Sequence, residues 1–273
     1  MCRECGCSVT QEEVHVHDHN GGIISAKGAS AASVEVLRHI LQDNDHEAEH
    51  NREHLTSHGV LAINLMSSPG SGKTSLLEAT INAIGDRFRI AVIEGDLETE
   101  NDANRIRAKG VPAIQITTGQ TCHLDAHMVH NALHALDLSK IDILFIENVG
   151  NLVCPAGFDL GQHANVTLLS VTEGDDKPAK YPVMFRAADL ILLSKSDLLE
   201  VLDDFAPEKA ERCVRALANP ADVLQISARR RDSLTRWLAW LEARLAEVRS
   251  RAARLAPQGQ AHHHHHHHHH AAE

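Results

Sequence analysis

The stretch Ser67-Ser68-Pro69-Gly70-Ser71-Gly72-Lys73-Thr74 constrains this chain more than any other. It follows the apolar run Val60–Met66 and precedes a helix-forming segment, Ser75–Ile84. Strand, glycine-rich turn, Gly-Lys-Thr and helix together form a P-loop. Its glycines let backbone N–H groups converge on phosphate oxygens, and the helix N-terminus adds its positive end. Gly70, Ser71, Gly72, Lys73, Thr74 and Ser75 are therefore candidates for the phosphate cradle. Lys73 is placed to reach the β- and γ-phosphates, and Thr74 to ligate Mg2+. Ser67 stands where the general motif has its first glycine, which is acceptable if that turn needs no positive φ.

Repeated strand–helix alternation follows. The expected strands are Phe88–Ile93, Ala113–Thr117, Ile141–Ile146, Val166–Val171, Asp189–Leu193 and Val223–Ile226. Helices are expected near 100–109, from about Cys122, over Pro207–Ala218 and over Ser233–Arg249. This order predicts a three-layer α/β P-loop fold with a mainly parallel sheet, its ligand site at the carboxyl ends of the strands. The GTPase-like domain is expected over 34–250, led by a helix at 34–58. A disordered Cys/His-rich segment (1–33) precedes it and a flexible His-rich tail (251–273) follows. With 43% apolar but only 3% aromatic residues, aliphatic side chains must fill the core.

A formal net charge of −11 argues against non-specific binding to nucleic acid or to an anionic membrane. No apolar run is long enough to span a bilayer, and the N-terminus carries no apolar signal region, so the expected location is cytoplasmic.

Lys195-Ser196-Asp197, at the end of an apolar strand, specifies the base. A carboxylate accepts from the N1–H and N2–H2 edge of guanine, and adenine has no matching donor pair. Lys195 covers the base plane with its stem, and the loop Ser227-Ala228-Arg229 supports it. Ser194 stands where such motifs usually have Asn. The alternative for Asp197 is a first-turn acid at a helix start. Glu147-Asn148-Val149-Gly150 ends another strand: Glu147 can hold Mg2+ and Gly150 can offer its N–H to the γ-phosphate. Asp96 is the candidate for positioning Mg2+ or the attacking water, with Glu94 as the second choice.

Six cysteines and 22 histidines suggest metal. Cys2, Cys5 and Cys7 lie within six residues, with Gly6 allowing a tight bend, and thiolate with imidazole suits nickel, zinc or copper. His46, His50, His54 and His58 recur at i, i+4, which fits either a solvated helix face or weak pairwise chelation. His262–His270 is either a native tract or a purification tag. Cys122-His123 and Cys154 are two more sulfur and imidazole positions, with Cys154 four residues after Gly150.

Three stretches together resemble the hydrogenase nickel-incorporation GTPases (HypB-type) of the SIMIBI class over about Val34–Val248. They are Cys122-His123-Leu124-Asp125-Ala126-His127, Glu147-Asn148-Val149-Gly150-Asn151-Leu152-Val153-Cys154-Pro155 and Thr172-Glu173-Gly174-Asp175-Asp176-Lys177-Pro178. The resemblance implies GTP hydrolysis coupled to nickel delivery to the large subunit of [NiFe]-hydrogenase. It also implies a HypA-type partner and a homodimer favoured by GTP. Cys122, His123 and Cys154 would form a Ni2+ or Zn2+ site at the dimer interface, and Cys2, Cys5 and Cys7 resemble a separate high-affinity nickel site. His127, one helical turn after His123, is an additional ligand candidate, whereas His130 and His134 read as surface and Cys213 as core. Rival readings are a urease accessory GTPase, a nickel/zinc storage protein with weak GTPase activity, and an ATPase of the same class.

Overall fold

The computed structural model describes residues 31–96, 100–119 and 121–255, preceded by two short antiparallel strands, β1 (His15–His17) and β2 (Ile23–Ser25). Cys2, Cys5, Cys7 and His262–His270 lie outside the described residues.

The remaining strands form one sheet. They are β3 (Leu61–Ser67), β4 (Ile90–Asp96), β5 (Ala113–Thr117), β6 (Ile143–Glu147), β7 (Ala164–Ser170), β8 (Leu190–Ser194) and β9 (Asp222–Gln225). Their spatial order is β5-β4-β6-β3-β7-β8-β9, with every neighbouring pair parallel. The helices are α1 (Ala31–Ser57), α2 (Lys73–Ile84), α3 (Asn101–Arg107), α4 (Ala126–Leu133), α5 (Lys177–Lys180), α6 (Pro182–Arg186), α7 (Pro207–Ala216) and α8 (Thr235–Leu255).

Apolar residues on both sides of each central strand require cover on both faces. Leu61, Ile63, Leu65, Val92 and Phe145 meet Leu77 and Ile81 of α2 and Trp237 and Leu241 of α8. The alternate residues Ala62, Ala91, Ile93, Leu144 and Ile146 meet Leu55 of α1 and Val129 and Leu133 of α4. Farther along the same face, Met66, Leu169, Ile191 and Leu193 pack on Phe185 of α6 and Val214 of α7. Three layers result, and the core is largely aliphatic, as the composition requires. Trp237, fully buried, donates its indole N–H to Thr80 Oγ1 at 3.0 Å, so this large side chain leaves no unpaired donor.

The helix expected from Cys122 starts instead at Ala126. Asp125 is its N-cap, accepting the Met128 N–H at 2.8 Å. Cys122 and His123 therefore sit in the loop before α4, and His127 does not stack one turn above His123. That loop position lets the two residues turn toward the strand ends. Helix α1 is seated by Asn51, which donates to the Ala126 carbonyl at 2.8 Å, and by Asn44, which accepts the Ala126 N–H at 2.9 Å. Arg52 adds a 2.5 Å ion pair with Asp159.

Candidate functional site

At the carboxyl end of β3 the chain turns into α2 through Gly70 (φ 73°) and Gly72 (φ 100°), both in the left-handed region that side chains disfavour. Ser67 is fully buried, and its hydroxyl supplies what a glycine could not. Its Oγ accepts from Lys73 Nζ at 3.0 Å and from Ser71 Oγ at 2.5 Å, and donates to the Ser68 carbonyl at 2.7 Å. Around the loop lies a cavity of about 420 Å³ lined by Gly70, Gly72, Lys73, Thr74 and Ser75, with Glu94, Asp96, Glu147 and Gly150 on its far wall.

Strand order brings two acids together there. Because β6 lies between β4 and β3, Glu94 and Glu147 are register partners on adjacent strands. Thr74 Oγ1 donates to Glu147 Oε1 at 3.0 Å, and Lys73 Nζ is 4.0 Å from the same oxygen. Burial first, and then the Glu147 charge, push the Glu94 carboxyl up to about 10. Burial also raises Glu147, opposed by Lys73 and the Thr74 hydroxyl. Glu94 Oε1 and Glu147 Oε2 are buried without a hydrogen-bond partner. Hard, orphaned oxygens beside a phosphate cradle fit Mg2+, which would replace the proton that two neighbouring carboxylates otherwise retain. Asp96 lines the same cavity at the end of β4, two residues beyond Glu94.

A second cavity, of about 560 Å³, shares Gly72, Ser75 and Lys195 with the first. It is lined by Ser194, Asp197, Ser227, Ala228 and Arg229. Ser227 Oγ donates to Asp197 Oδ1 at 2.6 Å, which fixes the carboxylate and holds its pKa below the ordinary value. The N-cap of the following 3-10 turn is Lys195 (φ 58°) and Asp197 lies in its first turn, as the alternative reading has it, while Lys195 Nζ donates to the Gly70 carbonyl at 2.8 Å. Ser194 is buried and donates to the Ser71 carbonyl at 2.6 Å, tying β8 to the P-loop. The two cavities thus adjoin around one loop.

The segment after β6 links this cleft to sulfur. A Cβ on Gly150 would come within 2.9 Å of Pro69 Cα, so only glycine lets this segment lie against the P-loop. The buried Asn148 donates to Asn64 Oδ1 at 3.2 Å, while its own Oδ1 accepts from the N–H groups of Val149 (3.0 Å) and Leu124 (3.2 Å). Asn151 donates to the Cys122 carbonyl at 3.4 Å. Cys122, His123 and Cys154 converge so that one ligand atom from each lies within 4.8 Å of the others. The two sulfurs are 2.8 Å apart, with no disulfide between them. His123 stacks on Phe158 with ring centroids 3.9 Å apart, and burial keeps its imidazole on the neutral, ligating side of its usual pKa. Two thiols and a neutral imidazole are a donor set for Zn2+ or Ni2+.

Residues 61–225 match the family model of the CobW/HypB/UreG nucleotide-binding domain. A hydrogenase maturation factor HypB from Azotobacter vinelandii is 53% identical over 223 residues, spanning 81% of this chain and 73% of that protein. The chain belongs to the HypB family of P-loop GTPases. Another HypB, from Escherichia coli (strain K12), is 48% identical over 236 residues, 86% of this chain and 81% of its own. The crystal structure of HypB from Helicobacter pylori in complex with nickel is similar at 44% identity and a TM-score of 0.72, covering 75% of this chain and 96% of that one.

The fold therefore gathers Lys73, Thr74, Glu147, Asp96 and Gly150 in one cavity and Lys195, Asp197, Ser227 and Ala228 in its neighbour. Cys122, His123 and Cys154 form a third group. His127 is exposed and is not one of the three converging ligands, and Cys213 is half-buried on α7. Sequence reasoning did not find the Ser67 hydroxyl as the seat of Lys73, Asn148 as a bridge, or Phe158 as the platform under His123. It had Glu94 only as a second choice. Long-range packing brings Asn148 and Phe158 to their partners, whereas the Ser67 contact is local to the loop and depends on its fold. No helix among the described residues is long and apolar enough to cross a membrane.

Proposed function

We propose that this protein is a GTP-hydrolysing metallochaperone that binds nickel and delivers it to the large subunit of a [NiFe]-hydrogenase. One observation carries the reading: the Cys122/His123/Cys154 trio is wired to the nucleotide cleft through Asn148 and Asn151.

In this reading the P-loop backbone and Lys73 hold the β- and γ-phosphates, and Asp197 and Lys195 hold guanine. Thr74 and Glu147 would hold Mg2+ with Glu94 and Asp96 close by; the ion, when bound, neutralises charge building on the phosphates. Asp96 orients the attacking water. Gly150 donates its N–H to the γ-phosphate, and after hydrolysis it loses that partner and moves off Pro69. Asn148 and Cys154, on either side of Gly150, move with it, and the trio opens. Metal and nucleotide affinities are then reciprocally coupled. Nickel is cargo: three ligands per chain leave a position for a partner's ligand, from a second copy in a GTP-favoured homodimer or from a HypA-type donor. Zn2+ can occupy the same set. Cys2, Cys5 and Cys7 form a separate nickel site that is indifferent to nucleotide.

Nickel titration of the purified protein with GDP and with a non-hydrolysable GTP analogue tests the coupling. The affinity at Cys122/His123/Cys154 should differ between the two, and equal affinities would overturn it. In cells, Lys73→Ala should abolish hydrogenase nickel loading while leaving Cys2/Cys5/Cys7 binding intact. Loss of urease loading in place of hydrogenase loading would point to the sister accessory GTPase.

A further inference from the structure

A second group of ligand atoms lies where α1 packs on α4, away from the nucleotide and from the Cys122/His123/Cys154 trio. The i, i+4 histidine series on α1 does not simply face solvent. Glu47, His50 and His130 each place one ligand atom within 4.8 Å of the others. Glu47 Oε1 is the hub, 2.9 Å from His130 Nδ1 and 3.8 Å from His50 Nδ1. The His50 and His130 rings are 5.2 Å apart, and His134 brings its Nε2 to 2.9 Å from His130 Nε2. His54 extends the group, its ring 6.4 Å from that of His50.

Such a cluster differs from a solvated polar face in two ways. It joins residues of two helices that are 80 or more positions apart in sequence, and one ring is held by a buried side chain. The buried Asn51, which donates to the Ala126 carbonyl at the start of α4, places Oδ1 3.0 Å from His130 Nδ1, the nitrogen that also faces Glu47. Both neighbours are acceptors, so Nδ1 carries the proton and Nε2 is the nitrogen left to ligate; a proton held on the other nitrogen fixes ring orientation in metal sites. A cavity of about 340 Å³ beside the cluster is lined by Asp43, Glu47, Asp125 and His127, and by Phe158, the ring stacked on His123. Three carboxyl groups on one wall raise the local concentration of cations.

We propose that Glu47, His50 and His130 form a divalent-metal site between α1 and α4, distinct from the cysteine site. Imidazole with one carboxylate selects a borderline ion such as Ni2+ or Zn2+ over Mg2+ or Ca2+. Loading fastens α1 to α4 and holds metal beside the acidic cavity that Glu47 lines. The site stands whether or not the protein serves a hydrogenase.

The test is site-resolved histidine footprinting of the full chain with diethylpyrocarbonate, read peptide by peptide by mass spectrometry over a nickel chloride titration. His50 and His130 should become protected together, at one nickel concentration. Glu47→Gln should raise that concentration at both histidines by about tenfold or more, leaving protection of His123 unmoved. His50→Gln, at a largely exposed position, should release His130 in the same way. If His50 or His130 keeps its metal-free reactivity at nickel levels that fully protect His123, the site does not exist. Protection indifferent to both substitutions also overturns it. The His123 peptide reports the cysteine site separately, so failure of one site is distinguishable from failure of the other.

Discussion

Asn148 accepts the Leu124 backbone N–H at 3.2 Å, so the residue after Glu147 holds the residue after His123. Nucleotide contact and metal contact are thus separated by one buried side chain. Asn148→Ala leaves the Leu124 N–H without this acceptor and removes the bond to Asn64. A buried donor stripped of its partner costs about 1–3 kcal/mol. The expected outcome is a protein that still binds GTP but whose nickel affinity at Cys122/His123/Cys154 no longer differs between GDP and a GTP analogue. Parallel nickel titrations in the two nucleotide states provide the measurement. A variant with undiminished difference places the coupling elsewhere.

Ser67 is a second buried hub. It is the acceptor for both Lys73 Nζ and Ser71 Oγ. In Ser67→Ala, the Lys73 ammonium loses this acceptor and retains the more distant Glu147 oxygen at 4.0 Å. Hydrogen bonds to charged groups contribute about 1.5–3 kcal/mol. Nucleotide-free Ser67→Ala should therefore melt several degrees lower, at about 2–4 °C per kcal/mol for a domain of this size. Thermal melts with and without GTP separate this loss from any change in nucleotide binding, and an unshifted nucleotide-free melt counts against it.

These two hubs mark how far the sequence can be read. Local signals were enough for the strands: Ala113–Thr117 has the bounds its pattern predicts, and the ends of the others shift by one to three residues. The shifts at β4 and β6 run in one direction, because Glu94, Asp96 and Glu147 continue the ladder past the last apolar residue. The start of α4 was misjudged although its signal was present, an Asp at 125 three residues before the N–H it caps. What the sequence does not contain is strand order. The Glu94–Glu147 pair exists only because β6 inserts between β4 and β3. The meeting of Glu47 with His130 depends likewise on how α1 lies across α4. His130 reads as a surface residue from sequence because a stripe of histidines on one helix says nothing of the helix opposite.

Asp197 is fixed by Ser227 and lines the second cavity, which the proposed function assigns to guanine. Asp197→Asn replaces an acceptor with a group that presents an amide donor toward guanine's own donors. Losing a charged hydrogen bond should weaken GTP binding by about 10–100-fold and reduce the preference for GTP over ATP. Competition binding with the two nucleotides reads this directly. Full retention of GTP preference would remove Asp197 from the base site.

His163 makes the last prediction, concerning the fold rather than the cleft. Its Nδ1 accepts the Ala62 N–H at 3.0 Å, so Nε2 carries the proton and donates to Thr56 Oγ1 at 3.0 Å, whose own proton goes to the Arg52 carbonyl at 2.6 Å. Burial, with the Arg52 and Arg251 charges, pushes the imidazole down to about 4. Between the unfolded value of about 6.5 and 4, the unfolded chain binds a proton that the native chain refuses. This group's contribution is therefore fully present above pH 6.5 and lost as pH falls through 4, by up to about 2–3 kcal/mol. His163→Gln cannot take up that proton. It should be less stable than the parent at pH 7.5, yet lose less stability on acidification to pH 4.5. Urea unfolding midpoints for both proteins across this range give the two slopes, and parallel slopes would mean that His163 is not the group that titrates.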